Sequence, residues 1–195
     1  MIKIVVASNN SHKIAEIKTI LQHKFQCVSL AEVGIDCQPE EKGKTFKENA
    51  LIKAKAIAKH TDLPVLADDT GLCVDALDGL PGVYSARFAE EHNDVANRNK
   101  LLSQLQGVTD RSAHFECAVV LLYPNGKAIT ATGRVDGKIL PAERGENGFG
   151  YDSLFFCTDL GKTFAEASAD EKNITPMLIS AIFTAASNAI MTRIM

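Results

Sequence analysis

Residues 114 to 137, HFECAVVLLYPNGKAITATGRVDG, are the stretch that most narrows what this chain can fold into. Two strand-like segments rich in apolar and β-branched residues flank Pro124-Asn125-Gly126, a step that reverses the chain tightly. A β-hairpin there commits the protein to antiparallel pairing. The start of the chain carries a different signal. Ile2 to Ala7 is short, continuous and β-branched, as in a buried strand; the polar SNNSHK follows, and then IAEIKTILQHKF with apolar residues at Ile14, Ile17, Ile20 and Leu21. That is strand, loop and helix. A hairpin and a strand-loop-helix unit in one chain imply an α/β or α+β fold around a mixed sheet.

The remaining segments fit that class. Thr45 to His60 has helical periodicity, with Phe46, Ala50 and Ile57 on one face and a Thr-Phe-Lys-Glu capping box at its start. Leu63 to Leu66 reads as a buried strand, Ala-Asp-Asp-Thr-Gly as a polar interruption, LCVDAL as a further strand and DGLPG as a turn. Glu90 to Gln106 is patterned as an exposed amphipathic helix, and a mostly apolar helical tail is expected from about Thr175 to Met195. No repeat or linker divides the chain, and 195 residues with 46% hydrophobic content suit one core, so residues 1–195 are expected to form a single domain.

A formal charge of -3 argues against a nucleic-acid polymer held through its phosphates, though a few local lysines can still hold a small anion. Five scattered cysteines without a C-x-x-C pair argue against structural zinc, and the start MIKIVVASNN does not resemble a secretory leader. Reduced thiols in a cytoplasmic protein are the expectation. No stretch reaches the roughly 18 apolar residues of a membrane span, so no membrane partner is expected.

Several residues can carry chemistry. Ser8, Asn9, Asn10, Ser11, His12 and Lys13 lie where a first strand gives way to a helix, a place that offers backbone N–H groups to an anion such as phosphate. The plainer reading is that Asn10 or Ser11 caps the helix. The segment lacks the G-x-x-x-x-G-K-[ST] pattern of a Walker loop. Asp68 and Asp69 follow an apolar strand, and adjacent carboxylates repel unless a cation sits with them; magnesium suits, since it prefers oxygen ligands and arrives with phosphates. Glu40 or Glu41 can add a carboxylate. The plainer alternatives are a turn at Asp-Asp-Thr-Gly and a solvated cluster at Glu40-Glu41-Lys42. Lys53 and Lys172 reach a polyphosphate only if the fold turns them inward. Phe149, between Gly148 and Gly150, can stack on a base or pack in the core. Histidines 23, 60, 92 and 114 have no partner at ligand spacing, and no Ser-His-Asp or Cys-His set can be assembled.

The ordered set SNNSHK, EEKGKTFKENALIKAKA, LADDTGL, DGLPGVYSARF, GENGFGYD and DEKN resembles the successive motifs of the inosine/xanthosine triphosphate pyrophosphatase family, from about residue 3 to Asn173. The resemblance implies an α/β fold with an elongated mixed sheet, flanking helices and two lobes around a central nucleotide-binding cleft. It further implies a homodimer that hydrolyses ITP, dITP or XTP to the monophosphate and pyrophosphate. On the matching positions, Ser8 to Lys13 meet the triphosphate, and Glu41 and Asp69 bind Mg²⁺. Asp69 also accepts a proton from, or orients, the attacking water, and Thr70 contacts substrate. Phe149, Gly150, Tyr151 and Asp152 form the base-binding segment, and Lys172 lies at the nucleotide. One departure stands out. The family's usual Ile-Ser-His-Arg continuation reads Ile174-Thr175-Pro176-Met177-Leu178 here, so Met177 and Leu178 replace the expected His and Arg. Neither can donate a charged hydrogen bond to a purine carbonyl. The alternative this raises is a nucleotide-binding protein with impaired turnover or altered base selectivity.

Overall fold

The computed structural model describes residues 2–21, 25–168 and 171–172, apart from the side chain of His12. Strand β1 (Ile2–Val6) leads into helix α1 (Ser11–Leu21), strand β2 (Phe25–Ser29), helix α2 (Phe46–Ala58) and strand β3 (Val65–Val74). Helix α3 (Asp94–Gln104) follows, then β4 (Ser112–Leu122), β5 (Ala128–Ile139), β6 (Phe155–Cys157) and β7 (Lys162–Thr163). The seven strands form one sheet in the order β2-β1-β3-β4-β5-β6-β7, the mixed sheet with flanking helices expected from the sequence. The tail helix expected from about Thr175 lies outside the described residues.

The chain divides into two compact units. Of the described residues, one holds those up to Asp69 and Cys117–Gly133; the other holds Thr70–Glu116 and those from Arg134 to Lys172. In the first, β1 pairs in parallel with both β2 and β3, placing Ile4 opposite Cys27 and Val5 opposite Val65. The connection through α1 steps from β1 to one side, and the connection through α2 returns past β1 to the other. Right-handed crossovers in opposite directions put α1 and α2 on opposite faces of the sheet. Packing agrees with this, since Val5, Ala7, Val65 and Ala67 share a cluster with Ala50, Ala54 and Ile57 of α2. Helix α2 starts where the capping box places it. The Thr45 side chain accepts the Glu48 N–H at 3.1 Å, and the Glu48 carboxylate accepts the N–H of Lys44 at 2.7 Å.

Strand β3 departs from the sequence reading. Asp68, Asp69, Thr70 and Gly71 do not interrupt it; the strand runs unbroken from Val65 to Val74. Asp and Gly are poor strand formers, but β3 lies between β1 and β4, and its carboxylates find cationic or amide partners on the two helices. Successive strand residues point to opposite faces. Asp68 is therefore turned toward α1 and Asp69 toward α2.

The β4–β5 hairpin forms as the sequence predicts. The Tyr123 N–H donates to the Lys127 carbonyl at 2.9 Å beside the turn, and the Ile139 N–H donates to the Arg111 carbonyl at 2.9 Å at the far end. In the second unit the rings of Phe115, Phe155 and Phe164 pack against one another at centroid distances of 4.8, 5.8 and 5.0 Å, within a core that also takes Leu101, Leu105 and Leu154. Gly137 on β5 faces Cys157 on β6. A Cβ there would stand 2.3 Å from the Phe156 carbonyl oxygen and 2.6 Å from the Phe155 ring. Neither backbone nor core ring can yield cheaply, so Gly137→Ala should cost about 1–3 kcal/mol. At roughly 2–4 °C per kcal/mol for a chain of this size, that lowers Tm by about 2–12 °C, measurable by calorimetry.

Candidate active site

The first unit gathers charge just beyond the end of β1. The strand's last pairing puts Val6 opposite Leu66 of β3, so Asp68 and Asp69 run on past it at the carboxyl ends of the parallel strands, where α/β sheets characteristically bind ligands. The chain leaves β1 through Ser8, Asn9 and Asn10. Ser8 Oγ accepts the Asn10 N–H at 3.1 Å, and Asn10 Oδ1 accepts the Lys13 N–H at 3.2 Å, which caps α1. The first turn of α1 carries no acidic residue to oppose an anion. From this turn Lys13 reaches Asp68 in a close ion pair, while Asp68 itself is only 3% exposed. Burial acts to lower the Lys13 pKa, but the negative charge around it, Asp68 foremost, together outweighs burial and the ammonium is held well above its ordinary range.

Asp69 meets the other helix. Its Oδ2 accepts the Asn49 side-chain N–H at 3.0 Å, and its Oδ1 lies 3.6 Å from Lys53 Nζ. Lys53 also stands 3.2 Å from Glu41 Oε1, so one ammonium is shared by two carboxylates from different parts of the chain. Burial pushes the Asp69 carboxyl above its usual range; Lys53 opposes the shift and Glu41 adds to it. Asn49 is fully buried on α2. Its Oδ1 accepts the Gly43 N–H at 2.7 Å, which fixes the amide so that its NH₂ faces Asp69.

Whether this corner fits a divalent cation can be judged from the donors. Among the described residues no three His, Cys, Asp or Glu side chains converge into a ready-made cage. Magnesium does not need one, because it is commonly held by one or two carboxylates together with substrate phosphates and water. Glu41 and Asp69 already share one positive charge, that of Lys53, and supply hard oxygen donors. The residues fit.

A second cluster lies in the other unit. Phe149 sits between Gly148 and Gly150, both at positive φ, and is 42% exposed. Asp152 Oδ2 accepts the Phe149 N–H at 3.2 Å and a bond from Lys172 Nζ at 2.8 Å. Burial raises the Asp152 carboxyl pKa, with Lys172 opposing. A Cβ on Gly148 would fall on this pair, 2.1 Å from the Asp152 carboxylate, so only glycine fits there. The Tyr151 hydroxyl donates to the Ser85 carbonyl at 3.0 Å, and burial pushes its pKa upward, keeping it a neutral donor.

The family model described as the Ham1 family matches residues 4–186. The chain belongs to the Ham1 family. A Clostridium perfringens protein named dITP/XTP pyrophosphatase is 50% identical over 183 residues, covering 89% of this chain and 90% of the relative. The Bacillus subtilis protein of the same name is 46% identical, with 89% of each chain covered. Among solved structures, the Staphylococcus aureus Ham1 protein superposes with a TM-score of 0.86 at 41% identity, covering 96% of this chain and 97% of that one. A HAM1 protein from Coxiella burnetii gives 0.87 at 37% identity, over 98% and 100%.

Within this Ham1 chain the structure groups most of the residues singled out from sequence. Lys13, Glu41, Lys53 and Asp69 fall in the first cluster; Phe149, Gly150, Tyr151, Asp152 and Lys172 fall in the second. Ser8 to Asn10 form the loop before α1, Ser11 and His12 begin the helix, and Thr70 follows Asp69 on β3. Glu40 stays outside, 74% exposed and paired with Lys42 at 2.9 Å. Met177 and Leu178 lie outside the described residues. Asn49 was missed by sequence reasoning, although an asparagine beside Ala50 on the apolar face of a helix is the signal of a buried polar group with an assigned partner. No described helix is long and apolar enough to cross a membrane.

Proposed function

We propose that residues 1–195 act as a single dITP/XTP pyrophosphatase domain, as a cytoplasmic homodimer, releasing pyrophosphate from ITP, dITP and XTP in a Mg²⁺-dependent reaction. The observation that carries this is the Lys53 ammonium held between Glu41 and Asp69, with Lys13 of α1 paired to the adjoining Asp68. The names of relatives that share about half of this chain's residues support the chemistry. They also favour an enzyme over a nucleotide-binding protein without turnover.

In this reading the triphosphate is taken by the Ser8–Lys13 segment and Lys53, and the purine by Phe149–Asp152 with Lys172. Water attacks the α-phosphorus. A new P–O bond forms, the α–β bridging P–O bond breaks, pyrophosphate leaves and one water proton is given up. Bound Mg²⁺ would be held by Glu41 and Asp69 and would supply Lewis-acid charge stabilisation to the phosphates. Asp69 orients the water and accepts its hydrogen bond; because a carboxylate on a cation is a weak base, its part is positioning more than deprotonation. Asn49 keeps the carboxylate aimed. Lys13 and Lys53 exchange Asp68 and Glu41 for phosphate oxygens, so positive charge is in place before charge shifts onto the leaving group. Thr70 contacts the substrate.

A substrate panel tests this. Pyrophosphate release from dITP, ITP and XTP should exceed that from dATP and dGTP, disappear with EDTA and return with Mg²⁺. Equal rates on all five nucleotides, or indifference to EDTA, would count against the reading. Run in parallel, the double substitution Met177→His with Leu178→Arg should increase the preference for dITP over dATP, because a site that hydrogen-bonds the 6-oxo group penalises the 6-amino analogue.

A further inference from the structure

One helix grips Gly150. Asp94 and Arg98, four residues apart on α3, share a face of it. Asp94 Oδ2 accepts the Gly150 N–H at 2.8 Å, and Arg98 Nη1 donates to the Gly150 carbonyl at 2.8 Å. Arg98 is fixed in turn by Glu143, with Nε 3.0 Å from Oε1, while Glu143 Oε2 accepts a bond from the Ser153 hydroxyl at 2.8 Å. The helix itself is anchored. Asn97, 1% exposed, accepts the Ala89 N–H at 2.6 Å and donates to the Ala86 carbonyl at 3.3 Å, and Leu101 is buried in the core. Gly150 has φ +59°, a conformation that glycine enters and leaves freely, so without these bonds its peptide would swing and take Phe149 with it.

The same contacts decide what the loop can offer a base. A backbone N–H has one proton to donate. The Phe149 N–H goes to Asp152 Oδ2, the Gly150 N–H to Asp94 and the Asp152 N–H to the Phe149 carbonyl at 3.1 Å, while the Tyr151 hydroxyl goes to Ser85. A purine 6-oxo group needs a donor, and these four are committed within the protein. Beside them the loop presents the exposed ring of Phe149, and stacking on a ring tolerates every base.

We infer that Asp94 and Arg98 are positioning residues that lock the Gly150 peptide so that Phe149 forms a fixed stacking platform, strengthening the binding of any purine nucleotide without choosing between 6-oxo and 6-amino bases. This rests on the reading of Phe149–Asp152 as the base-binding segment. It puts discrimination in other residues and gives α3 a part in substrate affinity.

The test compares the parent with Asp94→Ala, Arg98→Gln and the conservative Asp94→Asn, whose amide oxygen can still accept the Gly150 N–H. Steady-state kinetics on dITP and dATP are combined with inhibition by inorganic tripolyphosphate, which probes the phosphate site without a base. In Asp94→Ala and Arg98→Gln the KM for dITP should rise about tenfold, at the lower end of what base stacking contributes. Turnover and the dITP-to-dATP preference should stay within about twofold, tripolyphosphate inhibition should not change, and Asp94→Asn should restore KM to about the parent value. An unchanged KM in a folded variant, an altered base preference, or an equal loss of tripolyphosphate affinity overturns the proposal. Should the removal variants fail to fold, amide hydrogen exchange in the parent decides: slow exchange at Gly150 supports the lock and fast exchange refutes it. A parent that releases no pyrophosphate from dITP or XTP defeats the functional reading, whereas failure of the lock leaves parent activity intact.

Discussion

Replacing Asp69 by asparagine should reduce kcat/KM for dITP by about 10²–10⁴-fold while leaving the protein at least as stable as the parent at neutral pH. The two halves of this result have one cause. Burial raises the Asp69 carboxyl above its ordinary value of 3.8, more than Lys53 and the Asn49 hydrogen bond lower it. A carboxyl whose pKa is raised in the folded state contributes stability in its protonated form. That contribution is complete below the unfolded value and is lost as pH rises through the folded one. At neutral pH the ionised Asp69 therefore weighs against folding, and asparagine, which resembles the neutral form in shape, removes the burden. Asn49 can still donate to the new amide oxygen, and Lys53 keeps Glu41 at 3.2 Å. Melting temperatures of the two proteins should coincide near pH 4 and separate in favour of Asp69→Asn by pH 8. The melts are made without divalent metal, because a bound cation would favour the ionised carboxylate and lower its pKa. A variant that keeps parent activity removes Asp69 from the reaction, and one that melts lower at pH 8 than at pH 4 relative to the parent contradicts the direction of the shift.

Periodicity and turn chemistry were enough to locate β1, α1, α2 and the β4–β5 hairpin, because each is specified by residues within its own length. Thr45 caps α2 as its motif requires, and Asn125-Gly126 lies in the turn where the chain reverses. The continuity of β3 was not legible. Asp-Asp-Thr-Gly has the local character of a turn, and what keeps it extended comes from elsewhere in the chain: flanking strands, Lys13 of α1, and Asn49 and Lys53 of α2. Side chains that act on Gly150 were invisible for the same reason, since 56 residues separate Asp94 from its backbone partner. The choice between Glu40 and Glu41 came only through family resemblance. Adjacent glutamates look alike in composition, and it takes the position of Lys53 to separate the one facing Asp69's partner from the one in solvent.

The second large effect is expected at Lys13. Lys13→Met should destabilise the protein by about 3–5 kcal/mol, because it takes the ammonium away from a carboxylate buried on β3. For a chain of this length that corresponds to roughly 6–20 °C in Tm. The pH range over which the ion pair acts follows from the Lys13 shift. Burial acts to lower its pKa, and Asp68 then raises it above the ordinary value of 10.5. A raised lysine contributes stability that is complete below the unfolded pKa and is lost only as pH rises through the folded one. The parent therefore holds this contribution across the neutral range and should begin to give it up only in strong alkali. The double variant Lys13→Met with Asp68→Asn separates structure from chemistry. Without the buried charge on Asp68 it should regain most of the lost stability, since the cost of breaking such a pair lies chiefly in the charge left behind. Its affinity for dITP should nevertheless stay low, because Lys13 is also assigned to the triphosphate. Denaturant titration and KM measurements on the four proteins of this cycle give both quantities. Recovery of stability and affinity together would reduce Lys13 to a partner for Asp68, whereas recovery of stability alone gives it both roles.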